Sequence, residues 1–227
     1  MDPALVWQKD RRTPRRQAPS VEQIVATAIA IADTEGLEAL SMRRVAGDLG
    51  SGTASLYRYV ASRDELLDLM IDEVRSAPVE LTGDWRADLS AIARDIRATL
   101  LRHPWLVAEL AGRPALGANS LRHYDTTLAA VASLTPDVDL AAGIAATVTA
   151  YVRGAVSGEL AELQAQRRSG MTKTQWRHSV GAYVRDVIES GEYPHFARQV
   201  VEGSDRSADE RFEFGLACVL DGIAARS

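Results

Sequence analysis

Residues 41–63 read SMRRVAGDLGSGTASLYRYVASR. This stretch predicts two short helices joined by a tight turn. Ser41 is an N-cap for a first helix over Met42–Leu49. Val45, Ala46 and Leu49 fall on one face at helical spacing. The small Ala46 leaves room for a second helix to cross close by. Gly50 suits a left-handed C-cap, a conformation that costs glycine little. The second helix is expected over Thr53–Val60, with Leu56 and Val60 turned inward. Thr53, Ala54, Ser55, Tyr57, Arg58 and Tyr59 are then left on the outer surface.

That surface carries the chemistry of a major-groove reader. Short hydroxyl and methyl groups at Thr53, Ala54 and Ser55 allow close approach to base edges. Arg58 can reach a guanine or a phosphate, and tyrosine hydroxyls bond to phosphate. Arg43, Arg44, Arg58 and Arg63 oppose only Asp48 here, in a chain whose formal net charge is −5. Nucleic-acid contact must therefore be local rather than global. In a helix-turn-helix the second helix enters the groove and the first crosses the backbone. An αα-hairpin with a solvated basic face is the alternative.

Working outward, Ser20 and Gln23 form a capping box for a helix ended by Gly36, with Val21, Ile24, Val25, Ala28, Ile31 and Ala32 at helical spacing. Residues 1–18 hold Pro3, Pro14 and a basic cluster of Lys9, Arg11, Arg12, Arg15 and Arg16. They show no helical periodicity. Two readings stand open for them: an arm that tracks phosphates or enters the minor groove, or a soluble tail. Arg15 and Arg16, nearest the first helix, favour the arm. On the other side, Ser62 and Glu65 form a second capping box. The helix it opens has Leu66, Leu67, Met70, Ile71 and Val74 on its apolar side and ends before Pro78. Arg63, in its first turn, is placed for a phosphate, helped by the positive end of the helix dipole.

Together these residues resemble the TetR family of one-component transcriptional regulators over roughly Ser20–Val74. The resemblance rests on Ala28, Gly36, the run Ser41-Met42-Arg43-Arg44-Val45-Ala46, Gly50, Leu56-Tyr57 and Asp64-Glu65-Leu66-Leu67. Gly112-Arg113-Pro114 and the last helix (Phe212-Glu213-Phe214-Gly215-Leu216, with Leu220-Asp221-Gly222) resemble the tetracycline-repressor branch more weakly. Two departures stand out. Ser51, followed by Gly52, occupies a turn position that is usually a buried aliphatic residue, which implies a looser turn. Glu109 and Leu110 stand where tetracycline repressors carry a metal-ligating histidine, so no metal site follows from the resemblance. It implies a homodimer built from two helices of each copy, an operator in double-stranded DNA and a small-molecule effector. Repression, too, is an inference from the resemblance.

The 227 residues have room for a small unit and a second of ordinary size. The composition, 46% apolar and 25% charged, is that of a soluble globular protein. A single cysteine excludes an intramolecular disulfide and a thiolate zinc site. No uninterrupted apolar run reaches the ~18 residues of a membrane span, and the basic N-terminus lacks the apolar core of a signal peptide. A cytoplasmic protein without a membrane partner is expected. After residues 78–83, PVELTG, the helices lengthen, become alanine-rich and show no strand pattern. The fold expected is all-α: a basic arm over 1–18, a three-helix helix-turn-helix unit over 19–77, and a larger effector-binding and dimerisation unit over 84–227.

Within that larger unit, helices are expected over Asp84–Arg102, Trp105–Ala111, Asn119–Leu134, from Asp137 or Asp139 to Gln166, over Lys173–Ser190, near His195–Val201, and from Ser207 to Ala225. The longest exposes the small residues Gly143, Ala146, Thr147, Ala150, Gly154 and Gly158. The last carries an apolar stripe of Phe212, Leu216, Val219, Leu220 and Ile223. Small residues let helices approach and the stripe supplies burial, so these two form the expected dimer interface. An ordinary monomer core is the alternative.

Candidate effector contacts are Trp85, Trp105, Leu106, Glu109, Tyr124, Thr147, Tyr151 and Trp176. Aromatics with a few polar groups suit a ligand cavity between helices, and they suit a helical core equally. The four histidines, His103, His123, His178 and His195, show no metal-binding spacing. Cys218 has no obvious activating neighbour. No nucleotide or nucleophile motif is present, so neither a cofactor nor catalysis is expected. Three functions remain open: a ligand-responsive repressor, a constitutive DNA-binding regulator or activator, and a helical enzyme or storage protein with an incidental hairpin.

Overall fold

The computed structural model describes residues 19–75, 79–110 and 115–226. Among them are twelve α-helices and one 3-10 turn. The first four are α1 (Val21–Glu35), α2 (Met42–Asp48), α3 (Thr53–Leu56) and α4 (Arg63–Glu73), with the 3-10 turn Leu37–Ala39 between α1 and α2. Next come α5 (Trp85–Arg102), α6 (Leu106–Glu109), α7 (Ala118–Ala132) and α8 (Val138–Ser169). The chain closes with α9 (Lys173–Ser179), α10 (Gly181–Glu189), α11 (Pro194–Glu202) and α12 (Ala208–Ala224).

Local chemistry sets the helix starts. Ser20 and Gln23 cap α1 reciprocally, as do Ser207 and Glu210 at α12. Ser62 accepts from the Glu65 N–H, but the Glu65 carboxylate reaches past it to the Ala61 N–H, so the second expected capping box is only half formed. Asp84 and Asp137 cap α5 and α8. The expected helix over Lys173–Ser190 is two helices, α9 and α10, broken at Val180 ahead of Gly181.

The small N-terminal bundle packs α1 against α2 and α4, and α2 against α3. Ile24, Ala28, Val45, Leu56, Val60, Leu66 and Met70 are fully or almost fully buried in it. α8 is the central helix of the second half, packed on α5, α7 and α12. By length and composition α8 could cross a membrane, although it contains no long uninterrupted apolar run. Ile144, Val148, Val152 and Val156 instead face the protein core.

A salt bridge braces this half. Arg97 of α5 donates to Glu159 of α8 at 2.9 and 3.0 Å and to Asp209 of α12 at 2.6 Å. Its guanidinium lies 4.6 Å from the Phe212 ring centre. α9, α10 and α11 differ from the rest, because none of them has a buried residue.

The last helix corrects the expected interface. Phe212, Leu216, Leu220 and Ile223 face inward and are buried within the protomer, and Val219 packs against the same core. The outward face of α12 instead carries Phe214, Ala217 and Cys218. On α8, Gly143, Ala146, Thr147, Ala150, Gly154 and Gly158 are exposed.

Candidate functional site

The turn of the hairpin closes despite Ser51. Gly50 adopts φ +60°, and the Ser51 N–H returns to the Ala46 carbonyl at 2.9 Å. α3 starts at Gly52, which offers no side-chain cap, and spans only Thr53–Leu56. Expected over Thr53–Val60, the helix tightens at Tyr57–Tyr59. The Tyr59 N–H donates to the Leu56 carbonyl at 2.9 Å, an i to i+3 bond.

The structure brings most of the candidate reading residues to one surface. Ala54, Tyr57, Arg58 and Arg43 are exposed, and Thr53 and Ser55 half-buried. Arg58 Nη2 donates to Ser55 Oγ at 2.9 Å, which pre-orders the guanidinium along the helix surface. Tyr59 is drawn partly into the core.

Two arginines have structural partners. Arg44 holds Asp48 and, in a bidentate pair at 2.8 and 3.1 Å, Glu35. These carboxylates hold its guanidinium above the ordinary arginine value, chiefly through Asp48. Arg63 donates to the carbonyls of Leu40 at 3.2 Å and Leu37 at 2.9 Å. It thereby ties the start of α4 to the α1–α2 linker. The Arg44–Asp48 pair has ordinary i, i+4 helical spacing, whereas Glu35 and the Leu37 and Leu40 carbonyls come from other elements and are hidden in the sequence. Arg15 and Arg16 lie outside the described residues.

Among the described residues, Asp33 and Asp72 of this bundle make polar contacts with the rest of the protein. The Asp33 carboxylate of α1 accepts from Trp105 Nε1 and lies 2.8 Å from His103 Nδ1. The Asp72 carboxylate near the end of α4 accepts from the Ser120 N–H of α7 at 2.8 Å, and the Asp72 carbonyl accepts from Asn119. Gly117 lies directly against the Asp72 side chain, and a Cβ there would overlap it.

A cavity of about 480 Å³ lies between α5, α6, α7 and α8. Leucine, isoleucine and alanine form just over half of its wall, with Arg75, Asp95, Thr99, His123, Tyr124, Thr127, Thr149 and Arg153 as polar residues. Of the candidate effector contacts, Leu106 and Tyr124 line it. Ala150, expected at the dimer interface, lines it too.

The other candidates lie elsewhere. Trp105 is buried and bonded to Asp33, and Tyr151 donates its hydroxyl to the Phe212 carbonyl at 2.6 Å. Trp85 packs against the core, Trp176 is exposed beside Met171 on α9, and Glu109 and Thr147 are not part of the wall. The sequence reading favoured aromatics, yet the wall is mostly aliphatic and alanine. Arg75, Asp95 and His123 were missed, although Asp95 falls at helical spacing with Ile92, Ile96 and Thr99, and His123 with Thr127. Among the described residues no group of acidic, histidine and cysteine side chains could hold a metal ion.

Residues 77–227 match the family description "Tetracyclin repressor-like, C-terminal domain". The chain is 40% identical to the HTH-type transcriptional repressor DrrR1 of Streptomyces coeruleorubidus, over 96% of this chain and 83% of that one. The chain belongs to the TetR family of transcriptional regulators. Among other TetR-type relatives, it is 33% identical to an HTH-type transcriptional regulator of Saccharopolyspora erythraea, over 98% of this chain and 92% of that one. The TetR family protein ActR of Streptomyces coelicolor, solved without ligand, superposes with a TM-score of 0.73 at 29% identity, covering 94% of this chain and 97% of that one. ActR has also been solved in complex with (S)-DNPA and with actinorhodin. The all-α fold expected from the sequence is the fold found.

Proposed function

We propose that this TetR-family protein is a homodimeric repressor that a small-molecule effector releases from a palindromic operator. The helix-turn-helix unit over residues 19–77 reads the DNA, and residues 84–227 bind the effector and the second copy. Its place of action is the cytoplasm, with no catalytic role and no membrane partner.

One observation carries the reading. The cavity wall includes Arg75, two residues beyond the end of α4, and α4 is the helix that Arg63 ties to the reading head. An occupant therefore bears on the element that holds α2 and α3 in place. The cavity is within the usual size range of small-molecule sites, about 300–1,000 Å³. ActR, solved with two different ligands, is a relative of the same fold.

Release requires differential affinity. An effector that binds both conformers equally shifts nothing, whereas a preference of about 5.5 kcal/mol inverts a 99:1 population. Two heads about one helical turn apart read a palindrome. The second copy is expected on the exposed small-residue face of α8 and the outward face of α12, with α9–α11 adding amphipathic surface that the protomer leaves uncovered.

The test is a fluorescence-anisotropy titration against DNA flanking the protein's own gene, at fixed salt with random duplex as competitor. Two protomers per site and affinity well above that for random DNA are expected. Binding no tighter than to random duplex at every flanking segment would sink the proposal.

A further inference from the structure

The cavity's polar groups say what its ligand must look like. Two guanidiniums, Arg75 and Arg153, face one carboxylate, Asp95. Burial pushes the His123 imidazole further down from its ordinary value, so the ring is neutral at pH 7. Among the described residues of the wall, one positive charge is in excess. Arg153 is partly satisfied, since its Nη1 donates to the Leu110 carbonyl at 2.8 Å. Arg75 is half-buried, and among the described residues no carboxylate is within ion-pair reach of it. Burial holds that guanidinium below its ordinary value even though Asp72 and Asp95 attract it from beyond contact distance, so an anion in direct contact would offset a real cost. His123 Nε2 is likewise buried without a hydrogen-bond partner. Around these groups the wall is aliphatic, from Ile92, Ile96 and Leu100 to Leu106.

We infer that the ligand of this cavity is an amphipathic monoanion, an apolar body with one acidic oxygen group that pairs with Arg75. The inference rests on reading the cavity as the effector site. The apolar body fills the aliphatic space, and a carbonyl or hydroxyl on it takes the position at His123 Nε2. Charge-assisted hydrogen bonds to a planar guanidinium are short and about twice as strong as neutral ones, so the acidic group fixes the ligand's orientation. Asp95, on the same wall, disfavours a second negative charge. A ligand paired with Arg75 is also paired with the residue that follows α4, where a displacement is passed to the reading head.

Three matched probes test this: anthraquinone-2-carboxylate, its primary carboxamide, and 2-(aminomethyl)anthraquinone, titrated by calorimetry into the full chain at pH 7.5. The carboxylate is expected to bind at least tenfold tighter than the carboxamide, and the amine weakest. Arg75→Gln is expected to erase the acid-over-amide preference while leaving carboxamide affinity within about twofold, which shows that the cavity remains folded. Arg75→Lys, which keeps the charge, should retain most of the preference. Equal binding of acid and amide, preference for the amine, survival of the preference in Arg75→Gln, or no saturable binding of the carboxylate would each overturn the inference. Operator titrations on the same samples separate it from the repressor reading. Acid-selective binding that leaves operator affinity unchanged keeps the ligand class and sinks the effector role.

Discussion

Arg58 and Arg63 have the same side chain and sit five residues apart, yet the structure gives them different work. Arg58 lies exposed on the reading surface with one hydrogen bond to Ser55. Arg63 spends its guanidinium on two backbone carbonyls of the α1–α2 linker. Arg58→Ala is therefore expected to weaken operator binding by about 1–3 kcal/mol and to relax sequence preference, with little change in melting temperature. Arg63→Ala is expected to act on stability first, by about 1–3 kcal/mol, because it removes the charged donor that bridges the Leu37 and Leu40 carbonyls to α4. Anisotropy and thermal melts on both variants decide the matter. A changed salt slope with an unchanged melt for Arg63→Ala would return that residue to the phosphate role its position suggested. The sequence put Arg58 on the outer face of the hairpin and Arg63 in the first turn of the helix that follows. It could not assign the partners, because Leu37 and Leu40 meet Arg63 only after α1, α2 and α4 have packed.

At the scale of elements, α4 is held at its far end by α7. The contact depends on Gly117, whose missing side chain lets Asp72 reach the Ser120 N–H. Gly117→Ala should displace the Asp72 carboxylate, at a cost of about 1–3 kcal/mol. It should also lower operator affinity by loosening α4, as read by a melt and an operator titration on one sample. A second element-scale device starts α5. Asp88 is buried and accepts from the Thr82 N–H and hydroxyl at 2.8 and 2.7 Å and from the Gly83 N–H at 3.0 Å. Those bonds, Thr82's backbone first, hold its carboxyl below the usual carboxylate range. A depressed folded value means the carboxylate stabilises the fold fully above the unfolded value of about 3.9 and loses that contribution as pH falls through the folded one. Asp88→Asn should therefore flatten the stability–pH profile below about pH 4, measured by urea unfolding at several pH values. An unchanged acid slope would show that Asp88 titrates alike in both states.

At the scale of the whole molecule, the proposed dimer needs a surface on which two copies meet. The apolar stripe of α12 is consumed inside the protomer, and what remains outside is the small-residue face of α8 beside Phe214, Ala217 and Cys218. Gly154 has open space around its Cβ position, so Gly154→Arg should leave the protomer fold intact. It should nonetheless convert a dimer to a monomer in sedimentation and reduce palindrome binding to the level of a half-site. A variant that sediments as wild type would move the interface elsewhere, with the uncovered α9–α11 segment next in line.

The sequence by itself determined the all-α architecture, the hairpin and most helix starts. Those depend on spacing, caps and left-handed glycines within a few residues of one another. Ser20 with Gln23, Ser41 and Gly50 all act where they were read. The tertiary structure alone decided which face of α12 is inside, which arginines are free, and what lines the cavity. An apolar stripe carries no mark of whether its partner is α5, α8 or a second copy. The wall draws on five segments, and the helical period with which α5 and α8 contribute to it does not say whether a stripe faces a core, a second copy or a cavity. Trp105 and Tyr151 looked like ligand residues for their size and polarity. Asp33 and the Phe212 carbonyl claimed their polar atoms once the chain folded, and Arg75 and His123 were left to face the cavity.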